Sequence, residues 1–195
     1  MGVKVIPVKC PKCNSVIQSK KRDLVFYCSC GTIHTRNGGQ KILAYEIADF
    51  MKQAQGDKIY VPFWRLYANV NISAEKISGG FISQLANLLS AKGGNIFIFV
   101  PGVDWSPDVY KYWAQTLTLN PPRYYVSPSF NVNVERVPCE ISDFDAAKYA
   151  DFLVLTFEAE KPGVLQYIDY SMRIMETKLI YLPFYRVGGS IYIGI

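Results

Sequence analysis

"KIYVPFWRLYANV", residues 58–70, is echoed near the end of the chain by "KLIYLPFYRVGGSIYI", residues 178–193. Aligned on Pro62 and Pro183, Ile-Tyr-Val-Pro-Phe-Trp-Arg-Leu matches Ile-Tyr-Leu-Pro-Phe-Tyr-Arg-Val, with five of the eight positions identical. Both copies are dense in β-branched and aromatic residues, the composition of strands. A proline inside such a run belongs at an edge or bulge, because it has no N–H to give to a ladder. Each copy therefore predicts a strand that bends at its proline and changes partners there. The stretches before them, "QKILAYEIADFMKQAQ" (40–55) and "PGVLQYIDYSMRIMET" (162–177), read as helices. Each copy also leads into a second β-like segment. The expectation is a duplicated helix–strand–strand unit, with repeats near 40–74 and 162–195 and a pseudo-twofold axis between them.

The rest of the body follows from punctuation. "GNIFIFVPG" (94–102) reads as a strand, and "PPRYYVSPSFNVNVERVP" (121–138) as an irregular edge strand. A helix is expected over 106–119, with Ser106 as N-cap, Pro107 at the first helical position and Asp108 in the first turn. Ser142 with Asp145 marks a second helix start, and "DFLVLTFEAE" (151–160) reads as a central strand. Helices and strands interleave without a regular βαβ rhythm, so the class is α+β (or α/β).

In a chain of 195 residues, 50% hydrophobic and 14% aromatic content supplies a sizeable core and excludes disorder. A mean hydropathy of +0.07 leaves apolar surface for a partner. The strongest apolar run, "IFIFVPGV" (96–103), is far too short to cross a bilayer, and "MGVKVIPVKCPK" has no apolar leader core. The expected location is the cytoplasm, where clustered cysteines bind metal rather than pair as disulfides.

Such a cluster opens the chain: "CPKC" (10–13) and "YCSCG" (27–31). Two tight turns, each carrying two thiolates, build the tetrahedron that zinc requires. Pro11 fixes the first turn and lets later amides point at sulfur, and Gly31 supplies a positive φ for leaving the second. Between them "SVIQS" and "DLVFY" flank the basic run "KKR", which reads as a hairpin. The expected ligands are Cys10, Cys13, Cys28 and Cys30. His34, the single histidine, is an alternative fourth ligand or an ordinary strand residue. Zinc is the expected metal, with a rubredoxin-like iron site as the alternative.

Over roughly residues 5–40 this arrangement resembles the zinc ribbon, a small metal-stabilised β module. "CPxC" matches the first knuckle of that family, whereas Cys-Ser-Cys-Gly is one residue shorter than its usual second knuckle. The ribbon together with the Tyr-x-Pro-Phe-aromatic-Arg strands resembles uncharacterised prokaryotic zinc-ribbon proteins, a resemblance that implies no activity. The expected organisation is a ribbon at 1–40 and a duplicated body at 41–195, with a protease-sensitive junction at "RNGGQK" (36–41).

Charge divides along the same line. Residues 1–41 hold eight Lys or Arg and one acid, Asp23, whereas the remainder holds thirteen basic and fifteen acidic residues. Lys9, Lys12, Lys20, Lys21, Arg22 and Arg36 are candidate contacts to nucleic acid or an acidic protein. A second copy of the chain is another candidate partner. No nucleotide-binding glycine loop, G-x-S-x-G or H-E-x-x-H is present, and Cys139 has no histidine to activate it. Asp104, Trp105 and Asp108 are of the types that line sugar sites, although a loop and helix start explain them more simply. The leading expectation is a metal-stabilised binding or adaptor protein. The alternative is an enzyme with a cleft between the halves and Arg65 and Arg186 as anion clamps.

Overall fold

The two related segments pair with each other. In the computed structural model, which describes residues 7–17, 22–35, 41–51, 54–73, 89–90, 93–159 and 169–194, they form the long central strands β5 (Asp57–Ser73) and β9 (Asp169–Val187). The strands run antiparallel over their whole length, with Val61 opposite Leu182, Pro62 opposite Tyr181 and Tyr60 opposite Pro183. One irregularity, at Tyr67/Ala68, leaves Met175 without an opposite number.

Both prolines sit where a neighbouring strand is exchanged. On the outer side of β5, β8 (Glu135–Arg136) pairs with Ile59 and Tyr60, and β6 (Asn95–Pro101) takes over from Phe63. On the outer side of β9, β4 (Tyr45–Asp49) pairs with Leu179 to Tyr181, and β10 (Ser190–Ile193) begins at Phe184. The Tyr60 and Pro62 carbonyls accept from Val137 and Gly102 amides at 2.9 and 2.8 Å, so this side of Pro62 points away from β9. Its missing N–H faces the gap between two partners and costs no ladder bond. Gly102 makes the close approach possible, since a Cβ there would lie 3.0 Å from the Pro62 carbonyl oxygen and 3.1 Å from the Cys139 sulfur.

The main sheet has the order β6-β5-β9-β4-β7, with β7 (Tyr125–Ser127) as the edge expected in the proline-rich segment. One face carries Ile59, Val61, Phe63, Ile180, Leu182 and Phe184 and is covered by Trp113 and Leu117 of helix α1 (Pro107–Leu119). The other carries Tyr60, Trp64, Leu66, Leu179 and Tyr181 and packs on Ala146, Ala150 and Leu153 of helix α2 (Asp143–Ala159). Helix α1 starts as expected after Ser106, although that side chain makes no capping hydrogen bond. At α2 the Asp145 amide donates to Ser142 Oγ at 3.1 Å, and the hydroxyl donates onward to the Asp145 carboxylate at 2.6 Å.

Three expected elements take the other form. The 40–55 stretch contains strands β3 (Lys41–Ile42) and β4 rather than a helix. Both faces of β4 are covered, with Ile47 in one core and Ala48 in the other, so successive apolar residues imitate a helical pattern. Over 162–177, residues from Asp169 onward belong to β9, and the rest lie outside the described residues. Conversely, 151–159 continues α2, because the capped start at Ser142 meets no glycine or proline before Pro162. The mixed α+β class stands, while the helical parts of the expected repeat unit do not.

The N-terminal segment forms a second, three-stranded sheet from β1 (Val25–Tyr27), β2 (Ile33–Thr35) and β3. Lys41 and Ile42, assigned from sequence to the body, complete this small sheet. Val25 and Ile33 enter the same apolar core as Trp64 and Tyr181. Beside them the Asp23 carboxylate, fully buried, pairs with Arg136 at 2.5 Å and accepts from the Cys139 amide at 2.9 Å. Arg136 also donates to the Tyr181 hydroxyl at 3.1 Å. The Leu24 amide donates to the Cys139 carbonyl at 2.7 Å. A ribbon sharing its core with the body in this way argues against a module that can be removed without consequence.

Removing one member of a buried ion pair strands the other. Asp23→Ala should lower the unfolding free energy by about 3 to 5 kcal/mol, with Asp23→Ala/Arg136→Met recovering part of the loss, as read by denaturant titration. A cost for Asp23→Ala below about 1 kcal/mol, the range of an exposed pair, would contradict this reading.

Candidate metal centre

Two knuckles face each other at the end of the small sheet. In the first, Lys9 and Val16 bridge antiparallel, the Cys10 amide donates to the Ser15 carbonyl at 2.9 Å, and the Asn14 amide donates to the Cys10 carbonyl at 2.9 Å. Asn14 completes the turn with φ 60°, a region asparagine tolerates. The Lys12 amide points at Cys10 Sγ, 3.4 Å away, as the proline turn predicts. The second knuckle is the tip of the β1–β2 hairpin. Here the Cys28 amide donates to the Thr32 carbonyl and the Gly31 amide to the Cys28 carbonyl, both at 2.9 Å, with Gly31 at φ 83°.

This pairing corrects the expected hairpin. "DLVFY" pairs with "IHT" across the second knuckle, and Val16 pairs back to Lys9. Each cysteine pair sits in its own turn, so both knuckles are closed by the strands that flank them.

Within this frame the four sulfurs converge. Cys10 and Cys30 Sγ lie 3.7 Å apart, Cys13 and Cys28 Sγ lie 3.5 Å apart, and all four fall within 4.8 Å of one another. A tetrahedron with metal–sulfur distances of about 2.3 Å has edges of about 3.8 Å, so the donor set fits one ion. The separations are far beyond the roughly 2.05 Å of a disulfide, and all five cysteines are free thiols. The short Cys-Ser-Cys spacing suffices because Cys28 is buried at the end of β1, while Gly31 turns the chain so that Cys30 returns toward it.

The thiols are electrostatically unlike. The Ser15 side chain and amide, followed by Cys28, bring the Cys13 thiol down to about 6. The Thr32 hydroxyl, 3.3 Å from its sulfur, lowers Cys30. The Cys30 amide favours the Cys28 thiolate, but burial and the neighbouring sulfurs outweigh it and push Cys28 up to about 11. An arriving cation must displace protons from this cluster, which ties metal affinity to pH.

His34 lies elsewhere. It is fully buried in β2, with its ring 5.6 Å from that of Phe26, and stands outside the sulfur cluster. It is a core residue, not the solvent-facing one a strand position allows. Among the candidate cations, Lys9 and Lys12 are exposed on the first knuckle. Arg22, with 72% of its side chain exposed, lies 3.7 Å from Glu140. Lys20, Lys21 and Arg36 fall outside the described residues.

Arg65 and Arg186 do not form a clamp. Arg65 sits opposite Lys178 and Arg186 opposite Asp57, eight residues apart along β9, or about 27 Å at strand rise. Each has its own acid. Arg65 donates to both oxygens of Glu46 at 3.1 and 3.3 Å, contacts the Tyr124 hydroxyl, and lies 5.1 Å from the centre of the Phe97 ring. Arg186 pairs with Glu135 at 3.4 Å. Arg65 therefore closes over an aromatic residue and an acid. Glu46 also accepts from Tyr124 at 2.7 Å and Lys178 at 3.0 Å. Burial alone would raise its carboxyl, but these partners overcome it and hold Glu46 below the ordinary carboxylate range. Cys139 is fully buried, and desolvation pushes its thiol far upward, so it is no nucleophile.

Asp23, Arg136 and the Glu46 cluster were not singled out from sequence. Asp23 alone left a signal there, as the lone acid among the first 41 residues.

Residues 2–45 match a domain of unknown function (DUF7695), a stretch that takes in both knuckles and the small sheet. No curated protein and no solved structure matches the chain. The match reaches Tyr45 of β4, whose hydroxyl donates at 2.7 Å to the Gly31 carbonyl of the second knuckle.

The purified chain is expected to carry one metal ion, lost in Cys28→Ser and retained in His34→Gln, as measured by elemental analysis. Full retention in Cys28→Ser with loss in His34→Gln would overturn the ligand set.

Proposed function

We propose that this chain is a zinc-stabilised binding protein whose ribbon presents a cationic face to nucleic acid. The observation that carries the reading is the charge of the segment that holds the sulfur cluster. Asp23, the lone acid of the first 41 residues, is buried against Arg136, so every other charged side chain in that segment is basic. A filled four-thiolate zinc centre bears a net charge of −2, which reduces the segment's surplus from +7 to about +5. Four protein thiolates also occupy every position of a tetrahedral ion, leaving none for water or substrate. That supports a structural metal. Zinc suits four thiolates in a reduced environment better than the other common divalent ions.

The body serves as the scaffold. Ile59 faces Phe184 while its counterpart Ile180 faces Phe63, and Val61 faces its own counterpart Leu182. This symmetric register supports the reading that β5 and β9 descend from one duplicated strand with a local twofold axis between Val61 and Leu182.

Binding through lysines and arginines releases condensed counterions, so affinity should fall steeply with salt. Fluorescence anisotropy with single- and double-stranded DNA and RNA is expected to show binding at low salt. Lys20→Ala/Lys21→Ala/Arg22→Ala should weaken binding across sequences and lower the logarithmic salt slope by up to about three. Absence of binding to all four probes at low salt would refute the nucleic-acid reading while leaving the zinc centre intact.

A further inference from the structure

We propose that the cleft between the start of α1 and the flank of α2 binds a neutral sugar ring. The cleft has a volume of about 360 Å³, within the range of small-ligand sites. Its walls include four aromatic residues, Trp105 and Tyr110 on the α1 side and Tyr149 and Phe152 on α2. Trp105 is anchored from behind, with its ring 6.2 Å from Phe63 and 6.4 Å from Phe184. Tyr110 and Tyr149 meet edge to face at 5.7 Å. Tyr149 and Phe152 remain 39% and 59% exposed, unusually open for side chains of their size.

The polar groups select the ligand's chemistry. Asp104 and Asp108 line the same cleft, and neither carboxylate has a hydrogen bond or ion pair among the described residues. Lys111 supplies an ammonium. Two carboxylates, one ammonium and the positive end of a helix leave little net charge, so neither a polyanion nor a strong cation is favoured. A hydrocarbon would fill the aromatic walls but would desolvate the carboxylates without pairing them. A sugar meets both demands. Its C–H face lies on aromatic rings, its hydroxyls donate to Asp104 and Asp108, and its oxygens accept from Lys111. Asp108 also offsets the dipole of α1, but Asp104 precedes the helix and has no such role.

The test uses the full chain and saturation-transfer NMR with the methyl glycosides of glucose, galactose, mannose and N-acetylglucosamine, with choline as a charged comparison. At least one glycoside should receive transfer and bind in the millimolar range. Asp104→Asn and Phe152→Ala, both at exposed positions, should each weaken it roughly threefold to tenfold with the thermal unfolding midpoint preserved. No transfer to any glycoside, transfer unaffected by both variants, or binding of choline in preference would overturn the proposal. None of these outcomes bears on nucleic-acid binding by the ribbon.

Discussion

A buried ion pair, Asp23 with Arg136, ties the small sheet to the main one. The Asp23 carboxylate has no solvent exposure, and its charge is tolerable only because Arg136 stands 2.5 Å away and the Cys139 amide donates to its other oxygen. Asp23 lies between the two knuckles, whereas Arg136 sits on β8, paired alongside the central strand β5. The alternative to pairing is an uncompensated charge in an apolar core, at a cost of several kcal/mol. The geometry of the small sheet is therefore set by the body as well as by its own cysteines. Tyr45 adds a second tie, from β4 directly to the Gly31 carbonyl beside Cys30. A perturbation of the second knuckle reaches the main sheet through these ties and through the core shared by Val25 and Ile33.

Much of this architecture was legible in the sequence, though unevenly. The repeated phrase identified the two strands that pair at the centre, and its prolines marked the points where each exchanges partners. The four clustering cysteines were readable from spacing, because metal ligation is a local demand on short turns. What misled was periodicity in strands covered on both faces. Around Ile47 and Ala48 neighbouring apolar residues serve two different cores, which a one-dimensional pattern cannot separate from a helix. The opposite error arose at 151–159, where an apolar run continues a helix whose start had been recognised. Asp23 with Arg136 and Glu46 with Arg65 and Lys178 pair residues far apart in the chain, and no local rule joins them.

The arginines of the repeated phrase show why residue type alone does not make a site. As an aromatic–cation motif they suggested an anion clamp, but register separates them along β9 and each spends its charge on a carboxylate. Both proposed sites, at the knuckles and in the α1–α2 cleft, lie at the periphery of the main sheet, away from its central strands.

Through the ties of Asp23 and Tyr45 the metal centre, the small sheet and the body are expected to form one cooperative unit. Hydrogen exchange of the full chain before and after chelation of its metal tests this most directly. Loss of metal should deprotect the small sheet together with residues 57–66 of β5 and 179–186 of β9, since these share a core with Val25 and Ile33 and bond through Arg136 to Asp23. Deprotection confined to residues 7–42, with the central strands unchanged, would contradict it.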